Sequence, residues 1–120
     1  MSTCSVGNEG EEKAASFLIQ NYYRIIGRNF RTRSGEIDII AKKGDILVFV
    51  EVKTLPNGDA DTLSHELDFR NQRKIIKTAN FFLSKYREYS NSKIRFDVIV
   101  IDMPNLPSVY HIQDAFSELV

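Results

Sequence analysis

Gly35-Glu36-Ile37-Asp38-Ile39-Ile40-Ala41-Lys42-Lys43-Gly44-Asp45-Ile46-Leu47-Val48-Phe49-Val50-Glu51-Val52-Lys53-Thr54 holds two runs rich in β-branched residues on either side of a turn. Glu36–Ala41 and Ile46–Thr54 read as strands, and Lys43-Gly44-Asp45 as the reversal between them. In a strand, alternate side chains share a face. Leu47, Phe49, Glu51 and Lys53 therefore share one face of the second run, and Val48, Val50 and Val52 the other. A strand apolar on both faces is usually central and covered. Charges at one end of such a strand need a reason.

That reason depends on register. With Gly44-Asp45 as a two-residue loop, Lys43 pairs with Ile46, Asp38 faces Glu51 and Glu36 faces Lys53. A loop at Lys43-Gly44 makes Asp38 and Glu51 diagonal neighbours on one face, within roughly 8 Å. A three-residue loop places them on opposite faces. Two carboxylates brought together beside apolar neighbours repel, more strongly when buried. A cation between them relieves this. Lys53 supplies one charge, and a divalent ion supplies two. Mg²⁺ takes one or two carboxylates, keeps several waters and accepts phosphate oxygens. Glu36 is expected to join the group or to pair with Lys53. Such a site is suited to activating water beside a phosphodiester.

Working outward, Asn8 and Glu11 have capping-box spacing. Ala14, Ala15, Leu18, Ile19 and Tyr22 follow with helical period, predicting a helix over 8–22. Arg24–Phe30 reads as a first strand. Leu55–Ser64, with Pro56, Asn57, Gly58, Asp59 and Asp61, reads as a loop. A helix is expected over 66–88, then strands at Ile94–Asp102 and Val109–Gln113. The order is α-β-β-β-α-β-β, an α/β class with a mixed central sheet and helices packed on it. One domain is expected over 8–114, with flexible tails at 1–7 and 115–120.

The chain has 120 residues, enough for one core. Hydrophobic residues at 42% and charged residues at 27% exclude wholesale disorder. No apolar run approaches the roughly 20 residues of a membrane helix, and no signal peptide or membrane association is expected. Cys4, the single cysteine, points to a reducing, cytoplasmic setting. Net charge is zero, so polyanion binding must use local patches. One comprises Arg24, Arg28, Arg31 and Arg33; the other comprises Arg70, Arg73, Lys74 and Lys77, spaced along one helical stripe. His65 and His111 have no partner at ligand spacing. Asn57-x-Asp59-x-Asp61 lacks the glycine and terminal glutamate of a calcium loop. Arg95 and Asp97, on one strand face, read as a structural ion pair.

Asp38 followed by Glu51-Val52-Lys53 resembles the PD-(D/E)xK motif of restriction-endonuclease-like nucleases. Gly10-Glu11, Arg28-Asn29-Phe30-Arg31, Gly35 to Ala41, Val48 to Thr54 and Arg95-Phe96-Asp97 together resemble the YraN family, small bacterial proteins of endonuclease-like fold related to Holliday-junction resolvases. The likeness spans about Gly7 to Asp102. It implies a restriction-endonuclease-like core. It also implies Asp38, Glu51 and the Val52 carbonyl as metal ligands, and Lys53 polarising the attacking water or steadying charge on the phosphate. Glu11 corresponds to an acidic residue of the first helix in resolvase-like members. Gln72 corresponds to a helix glutamine that orients the lysine or touches DNA. The chain departs from the family at Leu55 and Asn71, where the family carries Arg and Lys, and over Pro56–Asp61; Arg70, Arg73 and Lys74 can compensate.

The expected activity is hydrolysis of phosphodiesters in structured or branched DNA with Mg²⁺ or Mn²⁺. Arg28, Arg31, Arg33, Arg70, Arg73, Lys74 and Lys77 grip phosphates without reading sequence. Resolvase relatives act as two-fold dimers, so a homodimer is implied. Two alternatives stand beside this: a non-catalytic nucleic-acid-binding module that retains the fold, and a structural or protein-interaction domain.

Overall fold

A computed structural model describes residues 6–117 as α1 (Val6–Gln20), β1 (Arg24–Thr32), β2 (Gly35–Lys43), β3 (Ile46–Thr54), α2 (Ala60–Glu66), α3 (Phe69–Lys85), a short 3₁₀ turn (Arg87–Tyr89), β4 (Lys93–Ile101) and β5 (Val109–Phe116). Cys4 and the ends of both expected tails lie outside the described residues. The five strands form one sheet in chain order. β3 and β4 are parallel and the other neighbours antiparallel. The sheet is thus mixed, and α2 and α3 form the crossover that a parallel pair needs.

β3 lies in the middle of the sheet, as its two apolar faces require. On one side Ala14, Ala15 and Leu18 of α1 pack over Ile39, Ala41, Val48, Val50, Ile99 and Ile101. On the other, Ile75, Ala79 and Phe82 of α3 pack over Ile37, Ile40, Leu47, Phe49, Phe96, Val98 and Val100. Phe82 meets Phe30, Phe49 and Tyr86 at ring separations of 5.2, 5.8 and 4.7 Å. Edge-to-face and tilted pairs at such distances add to burial itself.

The β2–β3 turn is the two-residue loop Gly44-Asp45: Lys43 pairs with Ile46, and the ladder runs to Ile39 opposite Val50. Gly44 adopts φ 61°, the left-handed region in which glycine carries no steric cost. Beyond Val50 the ladder stops and the strands splay. Strict alternation also fails there. Ile37 belongs to the α3-side core and Ile39 to the α1-side core, although they are two residues apart. Across β1, Arg28 pairs with Ile39 and Phe30 with Ile37, and between them Asn29 has φ 51°. The local rotation at Asn29 and Asp38 turns the strand ends over.

Several boundaries differ from those expected. α1 begins at Val6, so Asn8 lies inside the helix and is not its cap. The helix expected over 66–88 is α3, shorter at both ends, and part of the expected loop is the separate helix α2. Asp59 caps α2, accepting from the Thr62 N–H at 2.9 Å. Asp68 caps α3, accepting from the Asn71 N–H at 2.9 Å. Each cap satisfies N–H groups left open by the first turn. β5 continues past residue 114 to the buried Phe116, which stacks on Phe96 at 5.2 Å, so the domain extends beyond the expected 8–114.

Candidate active site and nucleic-acid interface

Asp38 sits where β2 and β3 part. Its Oδ2 accepts a hydrogen bond from the Val52 N–H at 2.8 Å. The side chain thereby takes the place of a main-chain carbonyl that the splayed ladder no longer offers. This ties the carboxyl to the Glu51-Val52-Lys53 segment. Burial, reinforced by the Glu51 charge, pushes the Asp38 carboxyl up to about 8, against the opposing Val52 N–H bond. Burial likewise raises Glu51, although Lys53 pulls it back. The two carboxyls are close enough to act on each other's titration. Proton sharing is what two close carboxyls in a partly dry place do.

Lys53 Nζ lies 3.2 Å from Glu51 Oε2 and 3.3 Å from Glu66 Oε1. Glu51 and Lys53 are only 13% and 17% exposed. Burial disfavours the ammonium, but Glu51 and Glu66 outweigh it and raise the lysine. Lys53 is therefore a fixed positive charge. Glu66 ends α2, an element absent from the expected layout, and so the local pattern carried no sign of its role.

The other candidates divide. Glu11 does not close a capping box: its Oε1 accepts from Asn29 Nδ2 at 3.0 Å, and its charge acts on Asp38. Glu36 does not pair with Lys53, because the ladder ends before those positions come opposite. It accepts instead from Arg31 Nε at 3.1 Å and from Asn29 Nδ2 at 3.3 Å, and its charge bears on Glu51. Asn29 therefore tethers both outlying acids; only its place beside Arg28 in the motif pointed to it. Gln72 donates to the Leu67 carbonyl at 2.8 Å, closing the α2–α3 junction rather than orienting Lys53.

Among the basic residues, Arg28 is neutralised by Glu12 at 2.8 Å and Arg31 by Glu36. Arg33 is exposed in the β1–β2 turn. Arg70, Arg73, Lys74 and Lys77 are exposed and form no ion pair among the described residues. With Ser34 and Phe69 they line a hollow of about 570 Å³. A second hollow of about 310 Å³ shares Arg70 and Lys74 and includes Lys53, His65, Glu66, Asp68 and Asn71. The α3 cations thus lead to the lysine.

Away from this site, Asp97 is fully buried and engages Arg95, His111 and the Asp114 N–H at 2.7–2.9 Å. Arg95 also donates to the Tyr23 hydroxyl at 2.6 Å. His111, which has no partner at metal-ligand spacing in the sequence, bonds Asp97 across the β4–β5 pair.

The fold and site define a mixed α/β protein with a paired-carboxyl and lysine centre at the end of a central strand. Residues 10–101 match the family described as "Uncharacterised protein family UPF0102", and the chain belongs to that family. UPF0102 proteins of Treponema denticola and Persephonella marina are 42% and 44% identical, over 95% and 92% of this chain and 96% and 91% of their own lengths. A UPF0102 protein of Clostridium tetani is 43% identical over 92% of this chain and 93% of its own. Among the described residues no helix is long and apolar enough to cross a membrane.

Proposed function

We propose that this chain is a metal-dependent nuclease of the restriction-endonuclease-like kind, hydrolysing phosphodiester bonds in structured or branched DNA. The observation that carries the reading is Asp38, bonded to the Val52 N–H, beside the half-buried Glu51–Lys53 ion pair at the end of β3, with burial raising both carboxyls. Buried paired carboxyls with shifted protonation are characteristic of functional sites.

The donor set fits a hard divalent ion. Asp38 and Glu51 would hold it, with the Val52 carbonyl as third ligand. Among the described residues no group of three or more Asp, Glu, His and Cys is placed to hold an ion; an ion on two carboxylates would complete its shell with waters and phosphate oxygens, as Mg²⁺ or Mn²⁺ can. Such an ion supplies Lewis-acid polarisation of the phosphate and a lowered pKa for water. Lys53, kept protonated by Glu51 and Glu66, steadies negative charge developing on the phosphate rather than taking a proton. Arg70 and Lys74, on the same hollow as Lys53, hold flanking phosphates. Water forms the new bond to phosphorus as the bond to the leaving sugar oxygen breaks; the proton lost by that water passes to solvent, and the leaving oxygen takes one from solvent. A two-fold dimer would match the symmetry of a four-way junction.

A cleavage panel tests this, with linear, nicked, flapped and four-way DNA and Mg²⁺ or Mn²⁺. Identically purified Asp38→Asn and Lys53→Ala should lose about 10²–10³-fold in rate while still binding DNA. Equal cutting by all three proteins would assign the activity to a contaminant. The Lys53–Glu66 pair also favours a second reading, a non-catalytic binding module with a pinned lysine. Metal-independent binding with no cutting of any substrate would establish it.

A further inference from the structure

We infer that Phe69 is a stacking platform for an unpaired base, so that the strand entering the site is single-stranded beside the point of cleavage. This deepens the nuclease reading and rests on it for the meaning of "cleavage", but the contact itself is one of binding.

Phe69 is the first residue of α3, directly after the cap Asp68. It belongs to neither core cluster and is 53% exposed. One turn on, the Arg73 guanidinium lies 5.9 Å from its ring centroid. An exposed ring at the head of a helix does nothing for the fold. Here it forms part of the wall of a hollow whose other large side chains are Arg70, Arg73, Lys74 and Lys77. Nearby acids are already engaged: Asp68 with the Asn71 N–H and Glu66 with Lys53. The hollow therefore presents positive charge and one flat apolar face.

That combination selects its occupant. Cations alone suit any phosphate chain or acidic peptide. A ring among them adds a complement for a planar base, and every base has a π-face. In a paired duplex the base faces are stacked on one another, leaving Phe69 no partner. A single strand supplies both parts, phosphates on the cations and a base on the ring. The path continues, because Arg70 and Lys74 also line the hollow that contains Lys53. A backbone lying along α3 thus has its unpaired base on Phe69 and a phosphate directed toward Lys53.

The test uses the full chain with EDTA, so that cutting plays no part. In Phe69→Trp, tryptophan fluorescence is followed on adding a thymidine 12-mer, the same 12-mer with abasic sites, a blunt hairpin duplex of equal phosphate number, and a polyglutamate peptide. Quenching is expected with the thymidine 12-mer alone. By anisotropy of labelled DNA, Phe69→Ala should weaken single-strand binding about 5- to 100-fold and leave the blunt duplex unchanged. Phe69→Ala removes an exposed ring outside both cores, so it remains informative if the tryptophan variant folds poorly. Equal quenching by the abasic 12-mer, or equal loss on single strand and duplex, would overturn the proposal in favour of phosphate contact alone. Equal binding and quenching by polyglutamate would overturn it in favour of an acidic protein partner. Base-dependent stacking with no cutting in any panel substrate would remove catalysis and keep the platform. Metal-dependent cutting without base-dependent stacking would do the reverse.

Discussion

At Asp38 a single side chain joins two strands and carries a proton near neutrality. Its carboxyl is raised from the ordinary 3.8 to about 8, first by burial and then by the Glu51 charge. The folded chain therefore holds a proton there that the unfolded chain has lost. Between those two values stability falls as pH rises, because the unfolded state is increasingly favoured by ionisation. On the proposed nuclease reading a divalent ion held there would compete with that proton, so its affinity should rise with pH toward and past 8. In thermal melts the upward shift on adding Mn²⁺ should be larger at pH 8.5 than at pH 6, reaching several degrees at saturating ion. In Asp38→Asn the shift should vanish. A shift that is independent of pH, or retained in Asp38→Asn, would show that the ion binds elsewhere.

At the scale of elements, the approach of α1 to β3 places Glu11 near Asp38. Gly10 permits it: a β-carbon there would collide with Thr54 Oγ1 and come within 3.6 Å of Ile101. The Thr54 hydroxyl is buried without a hydrogen-bond partner, another mark of a close helix–strand contact. Gly10→Ala should cost about 1–3 kcal/mol through overpacking, read as a lower urea midpoint with unchanged slope. Unaltered stability would mean that α1 can lift off the sheet freely. The break between α2 and α3 matters in the same way. Asp59 starts α2 inside what reads as a loop and Asp68 starts α3 afresh, and the added α2 brings Glu66 to Lys53.

Across the whole molecule, the buried Asp97 network ties the chain after α1 to β4 and β5 through Tyr23, Arg95, His111 and the Asp114 N–H. Burial tends to raise Asp97, but His111, Arg95 and the Asp114 N–H together lower it below 3.8. Its contribution is thus complete above that value and is lost as pH falls through the lower folded one. Asp97→Asn should destabilise by about 3–5 kcal/mol, because Arg95 loses its charged partner in a half-buried setting, and the variant should lose less stability on acidification. Equilibrium denaturation at pH 7 and at pH 3 checks both. A net charge of zero says nothing of this arrangement: equal acids and bases coexist with cations along α3 that form no ion pair among the described residues.

The hairpin was legible in the sequence because it depends on adjacent residues, a glycine in a tight turn and β-branched runs on either side; which of its possible registers holds is decided by the pairing of Lys43 with Ile46. The five strands, α1 and α3 followed from the same local periodicities, whereas α2 did not. What alternation could not reveal is how Asp38 reaches Val52, since that depends on the turn-over at Asn29, set by pairing with a different strand. Nor could spacing show that Lys53 pairs with Glu66 rather than Glu36, or that His111 bonds Asp97. Those partners are remote in the chain. Only closure of the sheet, with helices packed on both faces, decides which distant side chains share a buried space and which carry their charges outward.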